Sequence, residues 1–273
     1  MWHKLGNIYN KEAQLPTIHI LNNGKIRIFF SKRINGISVI NFFETDQKNP
    51  SKIVYENKIP IFSQGLRGCF DDMGVMPSCV CDVYGENILF YTGWNIQKGC
   101  VPYGHGIGSL VISNSEIIKR NNLGPILDRT LQTPFLVNSA FVFYENNKYN
   151  MLFCNGNGWE DKFPTYHLSK AISFDCKNWK DIEDFLVINN CAMSRPCKHD
   201  NAVWFSIKYK NTPYEIYVYE NKVLSKEKFY GNNEDWDSEM MCYPYVFNIG
   251  NKKYMYYNGN KYGQTGIGLA EWI

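Results

Sequence analysis

A proline, a polar turn and an aromatic strand ending in a small polar residue recur in order five times along this chain of 273 residues. The first copy is Pro16-Thr17-Ile18, turn Asn22-Asn23-Gly24, strand Ile26–Ser31; the second is Pro77-Ser78-Cys79-Val80, turn Tyr84–Asn87, strand Ile88–Thr92. The third has Ser139 in the proline slot, turn Glu145-Asn146-Asn147 and strand Tyr149–Cys154. The fourth is shorter, Pro196, Asp200-Asn201, Val203–Ser206, and the fifth is Pro244–Phe247, Gly250-Asn251, Tyr254–Asn258. The anchors 16, 77, 139, 196 and 244 are 61, 62, 57 and 48 residues apart. A third strand follows each copy, at Ser38–Asn41, Ile107–Val111, Tyr166–Ser169, Tyr214–Tyr217 and Gly266–Leu269, and a fourth precedes the next anchor in the first four units.

Four antiparallel strands in roughly 50 to 60 residues make one propeller blade, and arranging blades around an axis protects the sheet edges. The pattern predicts an all-β, five-bladed β-propeller, one domain over residues 1–273. The fifth unit ends at Trp272-Ile273 directly after its third strand. Its missing outer strand is therefore expected from Lys4-Leu5-Gly6-Asn7-Ile8-Tyr9, which closes the ring. Apolar residues nowhere keep a helical period, and 16% aromatic content favours strands.

The net charge of +3 is too small and too evenly spread to indicate a nucleic-acid groove. No stretch approaches the roughly 18 apolar residues of a membrane-spanning helix, and the N-terminus lacks a secretory h-region, so a cytoplasmic setting is expected. The nine cysteines, including Cys100, contain no C-x-x-C spacing and read as free thiols. No cofactor or metal is expected.

In a propeller the residues ahead of each anchor crowd one mouth of the channel. Five residues before the anchors stand Lys11, Asp72, Pro134, Cys191 and Glu239. Two carboxylates at one repeated slot suit the division into acid and base that cleaves a glycosidic bond. Immediately before the anchors come Leu15, Met76, Asn138, Arg195 and Tyr243. Arg195 so near the axis calls for an acidic group, whether of a substrate or of Asp72 or Glu239, while Asn138 and Tyr243 suit a sugar. The loops Gly93-Trp94-Asn95 and Asn155-Gly156-Asn157-Gly158-Trp159-Glu160-Asp161 offer Trp94 and Trp159 as platforms for a ring. His105 and His167, beside Tyr166, open third strands and can line the channel.

The strings Phe70-Asp71-Asp72-Met73-Gly74-Val75-Met76-Pro77-Ser78, Phe90-Tyr91-Thr92-Gly93-Trp94-Asn95 and Trp236-Asp237-Ser238-Glu239-Met240-Met241-Cys242-Tyr243-Pro244 carry a resemblance to the five-bladed propellers of the arabinanase, levansucrase and invertase superfamily. They look most like an uncharacterised bacterial branch encoded among genes for capsule or lipopolysaccharide. The resemblance implies a carbohydrate substrate, and other polysaccharide-biosynthesis enzymes as partners. It also exposes a departure, because those relatives carry an acid just before the first anchor, where this chain has Gln14-Leu15. The expectation is a carbohydrate-active hydrolase or transglycosidase acting on a sugar precursor. Glu239 would be general acid, Asp72 base or nucleophile, and Arg195 the holder of an anionic group. Asp71, Asn138, His105, His167, Tyr166, Tyr243, Trp94 and Trp159 would complete the substrate site. The alternative is a non-catalytic propeller that binds a glycan or nucleotide sugar and assists a glycosyltransferase.

Overall fold

A computed structural model describes residues 1–99, 101–113, 117–160, 163–231 and 235–273. Cys100 and Asp161 lie outside the described residues. The fold is all-β. Strands β1 (Trp2–Tyr9), β2 (Gln14–Ile20), β3 (Lys25–Ile34), β4 (Ile37–Asp46) and β5 (Asn49–Glu56) open the chain. They are followed by β6 (Gly74–Val83), β7 (Glu86–Ile96), β8 (Tyr103–Ile112), β9 (Ile117–Arg120), β10 (Val137–Glu145), β11 (Lys148–Glu160), β12 (Phe163–Ser173) and β13 (Lys180–Leu186). The remainder are β14 (Cys191–His199), β15 (Ala202–Tyr209), β16 (Glu215–Glu220), β17 (Val223–Lys226), β18 (Phe229–Tyr230), β19 (Cys242–Ile249), β20 (Lys252–Asn258) and β21 (Ile267–Trp272).

Antiparallel pairing groups these strands into meanders: β2-β3-β4-β5, β6-β7-β8-β9, β10-β11-β12-β13, β14-β15-β16-β17 and β19-β20-β21. The last group takes β1 beside β21, with Trp2 opposite Trp272 and Lys4 opposite Ala270. The first strands of the meanders touch in succession, β2 with β6, β6 with β10, β10 with β14, β14 with β19, and β19 with β2.

A bulge in each first strand sets the register. Two residues oppose one at Leu15-Pro16, Pro77-Ser78, Ser139-Ala140, Arg195-Pro196 and Tyr243-Pro244. Leu15, Ser139, Arg195 and Tyr243 take φ of 55–62°, the left-handed conformation; the bulge at Pro77-Ser78 forms without it. This corrects two anchors read from the sequence: Ser78 and Ala140, rather than Pro77 and Ser139, occupy the place that proline holds elsewhere. Opposite the bulges lie Phe30, Tyr91, Phe153, Phe205 and Tyr257, all buried. The next residues are small and polar (Ser31, Thr92, Cys154, Ser206, Asn258), and they face Ile40, Ile107, Leu168, Ile216 and Ile267 on the third strands.

The small polar residues explain themselves in the contacts between meanders. Thr92 Oγ1 accepts from Ser139 N at 2.9 Å, Ser206 Oγ from Tyr243 N at 2.8 Å, and Asn258 Oδ1 from Leu15 N at 2.7 Å. Cys154 accepts from Arg195 N in the same way. Ser31 departs from the pattern because its counterpart, Pro77, has no N–H, and it donates instead to Val75 O. The other four bulges would otherwise each leave an amide without an acceptor. The eight described cysteines are free, six of them buried.

Candidate functional site

Between the first strands lies a cavity of about 130 Å³, lined by Leu15, Met76, Pro77, Thr92, His105, Asn138, Ser139, Tyr166, Ser194, Tyr214 and Tyr243. Four of these are bulge residues, carried inward by the register shift. Three others share one slot two residues before the aliphatic of a third strand: His105 before Ile107, Tyr166 before Leu168 and Tyr214 before Ile216.

His105 Nδ1 lies 3.1 Å from Asn138 Nδ2, and the Tyr103 ring stacks on the imidazole at 5.0 Å. Burial lowers the His105 pKa to about 4, so the ring is neutral at pH 7. With the Asn138 amide donating to Nδ1, the proton sits on Nε2, which makes that edge a donor. Burial likewise raises Tyr166, Tyr214 and Tyr243 well above the ordinary phenol value, so each keeps its O–H. Among the described residues no Asp or Glu lines this cavity.

Tyr214 also forms a wall of a second cavity, a cleft of about 330 Å³ that contains Lys4, Glu215, Lys226, Glu227, Phe229, Asp237, Ser238, Glu239, Met240 and Met241. Asn260 Oδ1 accepts from the backbone N–H of Glu239 and of Met240, each at 2.8 Å, and so shapes this wall. Glu239 therefore lies in the cleft, and Asp72 lines neither cavity. Asp72 Oδ2 accepts from Gly68 N at 2.8 Å and fixes its own turn. Counted from the bulges, Glu239 shares its slot with Met73, and Asp72 with Ser238. The equivalence read from the sequence was off by one residue because the prolines are not equivalent.

The acids that do repeat are Asp71 and Asp237, both with fully buried side chains. Asp71 accepts from Tyr91 OH at 3.0 Å and pairs with Arg120 at 2.5 Å. Asp237 accepts from Tyr257 OH at 2.9 Å and pairs with Lys4 at 2.9 Å. Arg120 and Lys4 hold the same register, opposite Leu110 and Ala270, two residues beyond the glycines that face the tyrosines. Asp71 is thus an internal strut rather than a substrate contact.

Arg195 is 3% exposed and crosses from its own strand to two others. It donates to Pro77 O at 2.6 Å, Pro16 O at 3.0 Å and Thr17 Oγ1 at 2.9 Å. Burial pulls its pKa below the ordinary value. Its partners are carbonyls and a hydroxyl, not Asp72 or Glu239, because it lies at the level of the bulges and the acids do not. His167 is also buried, with Nε2 2.7 Å from Asp184 Oδ1, tying β12 to β13. Trp94 donates to Ser38 Oγ at 3.3 Å and lies under Arg33, outside the cavity. Trp159 packs edge-on against Tyr103 at 4.9 Å, one ring removed from His105. Sequence reasoning missed Tyr214, Thr92, Ser139 and Ser194. The slot shared with His105 and Tyr166 was the signal for Tyr214.

No protein-family model matches the chain. Two Mycobacterium tuberculosis proteins, Uncharacterized protein MT1551 and Uncharacterized protein Rv1502, are each 29% identical to it across 297 aligned positions, covering 98% of both chains. Among solved structures, a glycoside hydrolase superposes with a TM-score of 0.70 at 14% identity, over 98% of this chain and 91% of its own. A thermostable family-43 glycoside hydrolase gives 0.65 at 12% identity, over 95% and 88%. The Bombyx mori GH32 β-fructofuranosidase BmSUC1 gives 0.66 at 12% identity, over 97% and 61%. The chain therefore has a glycoside hydrolase-like β-propeller fold. Among the described residues, no helix is long and apolar enough to cross a membrane.

Proposed function

We propose that this chain is a five-bladed propeller that binds a neutral glycan, one sugar in the central cavity and the next in the adjoining cleft. In this reading the meanders are the blades and β1 completes the last of them. The succession of contacts from β2 round to β19 and the Asn258–Leu15 hydrogen bond support that closure. The observation that carries the binding reading is the lining of the central cavity. It offers a neutral imidazole, an amide, hydroxyls and three tyrosines, and no carboxylate among the described residues. Hydroxyl groups and aromatic faces suffice to hold a sugar, whereas cleavage of a glycosidic bond ordinarily takes a pair of acids across it.

The cleft across Tyr214 extends the ligand. It carries two lysines against four carboxylates, which disfavours the diphosphate of a nucleotide sugar. Surface-polysaccharide assembly, alongside other enzymes of that process, is the setting the family resemblance suggests. A second reading is turnover in the cleft, with Glu239 as proton donor. It is favoured by Glu239, which lines the cleft and whose carboxylate has no hydrogen-bonding or ionic partner among the described residues.

An array of mono-, di- and trisaccharides, followed by calorimetry and chromatography of the recovered ligand, tests both. The binding reading expects an oligosaccharide to bind more tightly than its component sugar and to return unchanged. Cleavage that disappears in Glu239→Gln would establish the second reading instead. Failure of every sugar to bind would end the carbohydrate assignment.

A further inference from the structure

Apart from the C-terminal Ile273, the five most exposed aliphatic side chains among the described residues are Leu123, Leu131, Leu66, Ile59 and Ile96, at 109%, 102%, 83%, 76% and 65%. All five fall on three segments: 57–73, the end of β7 with the loop after it, and 121–136. These segments lead into β6, β8 and β10, which supply Met76, His105 and Asn138 to the central cavity within their first three residues, so they lie toward its mouth. They are also neighbours. Arg129 Nη1 donates to Gln97 Oε1 at 2.9 Å, and Phe70 and Pro125 both close on Gly106.

The exposure is built in. Leu66 starts a turn closed by Cys69 N→Leu66 O at 2.9 Å, and the Asp72 carboxylate holds Gly68 within it. Leu131 sits at the tip of a turn in which Thr133 N donates to Thr130 O at 3.1 Å and Gln132 N to Thr130 Oγ1 at 3.1 Å. Leu123 follows Asn121 and Asn122, which are tied to Ser109 through its carbonyl and hydroxyl. Hydrogen-bonded turns hold these leucines in water, so an apolar surface that covers them gains the free energy of their burial.

Charge indicates what covers them. Lys58, Arg67, Lys98 and Arg129 are exposed on the same segments. The acids there are Asp71, paired with Arg120, Asp72, bonded to Gly68 N, and Asp128, beside Arg129 at 3.9 Å, while Lys58 lies 3.8 Å from Glu56; the basic side chains still outnumber the acids, and Arg67 and Lys98 carry the surplus. We infer that this rim docks on the surface of an anionic lipid bilayer, the leucines entering the acyl boundary and the basic side chains meeting the headgroups. Leucine-tipped loops flanked by lysine and arginine combine the two contributions that give stable interfacial attachment. The cavity mouth then faces the bilayer.

Sedimentation with vesicles tests this, using phosphatidylcholine alone and phosphatidylcholine with about 30 mol% phosphatidylglycerol. The chain is expected to sediment with the anionic vesicles at low salt, and more weakly with the neutral ones or at high salt. Leu66→Asp/Leu123→Asp/Leu131→Asp should reduce partitioning by about tenfold or more while its melting temperature stays unchanged, the side chains being exposed. Arg67→Ala/Arg129→Ala should lose only the preference for anionic lipid. The control Val54→Asp/Val223→Asp, on outer strands, should sediment as the parent does. A parent chain that stays in the supernatant with anionic vesicles at low salt overturns the inference, as does a triple variant that binds like the parent. Light scattering that shows a dimer abolished by the triple variant would assign the rim to a second copy, and overturns it too.

Discussion

The carboxamide of Asn258 accepts the backbone N–H of Leu15 at 2.7 Å across 243 residues of sequence, and its nitrogen donates to Ala13 O at 2.7 Å and Gly266 O at 2.9 Å. One side chain thereby satisfies three buried backbone groups and fastens the last meander to the first. Asn258→Ala leaves Leu15 N and Ala13 O without this partner and weakens the bonding of Gly266 O, and should destabilise the chain by about 2–4 kcal/mol in urea unfolding. A loss below about 0.5 kcal/mol would mean that water replaces the amide at little cost.

Lys4 and Arg120 perform the same task in different meanders, each neutralising a buried aspartate. Lys4→Met leaves Asp237 charged and unpaired, and should cost about 3–5 kcal/mol. Lys4→Met combined with Asp237→Leu should recover most of that loss. Equal stability of the single and double variants would show that the pair is not coupled.

Burial holds His19 and His105 at about 4, below the 6.5 of an unfolded histidine. Between those values the unfolded chain binds more protons than the folded one. The stabilisation is therefore complete above pH 6.5 and disappears as pH falls toward 4. Each histidine should contribute on the order of 2 kcal/mol of this loss, measured by urea unfolding at pH 7 and pH 5. His19→Gln/His105→Gln should flatten the slope, and a slope unchanged in the double variant would place its origin elsewhere.

Tyr214 separates the two cavities, so Tyr214→Ala should weaken an oligosaccharide more than its terminal monosaccharide. A deficit of about 1–2 kcal/mol is expected for the longer ligand by calorimetry. His105→Ala should weaken both to a similar extent, because it touches only the central cavity. If Tyr214→Ala affects both equally, the cleft is not a subsite.

The strand pattern was legible in the sequence because every unit repeats the same aromatic, small polar and aliphatic positions. The register was legible only in part. Four of the five bulges open on a residue in a left-handed φ followed by one that can forgo pairing, and Ser139-Ala140 serves there as Arg195-Pro196 does. Prolines therefore mark some bulges and miss others, and a shift of one residue set Asp72 beside Glu239 instead of Asp71 beside Asp237. The partners of those buried acids, Arg120 and Lys4, come from outer strands that no local pattern connects to them. Tyr166 and His105 could be read as cavity residues from their place on third strands; Arg195 could not, because its length takes the guanidinium across to carbonyls of Pro16 and Pro77.

The pairing of Trp2 with Trp272 sets an order of events during synthesis. Strand β1 cannot join β21 until all the strands between them and β21 itself have been made. Until then it is a sticky, tryptophan-bearing ribbon with no edge of its own to join. Delayed assembly of this kind makes nascent chains clients for chaperones, and a change that keeps β1 from reaching β21 would lower the yield of folded protein.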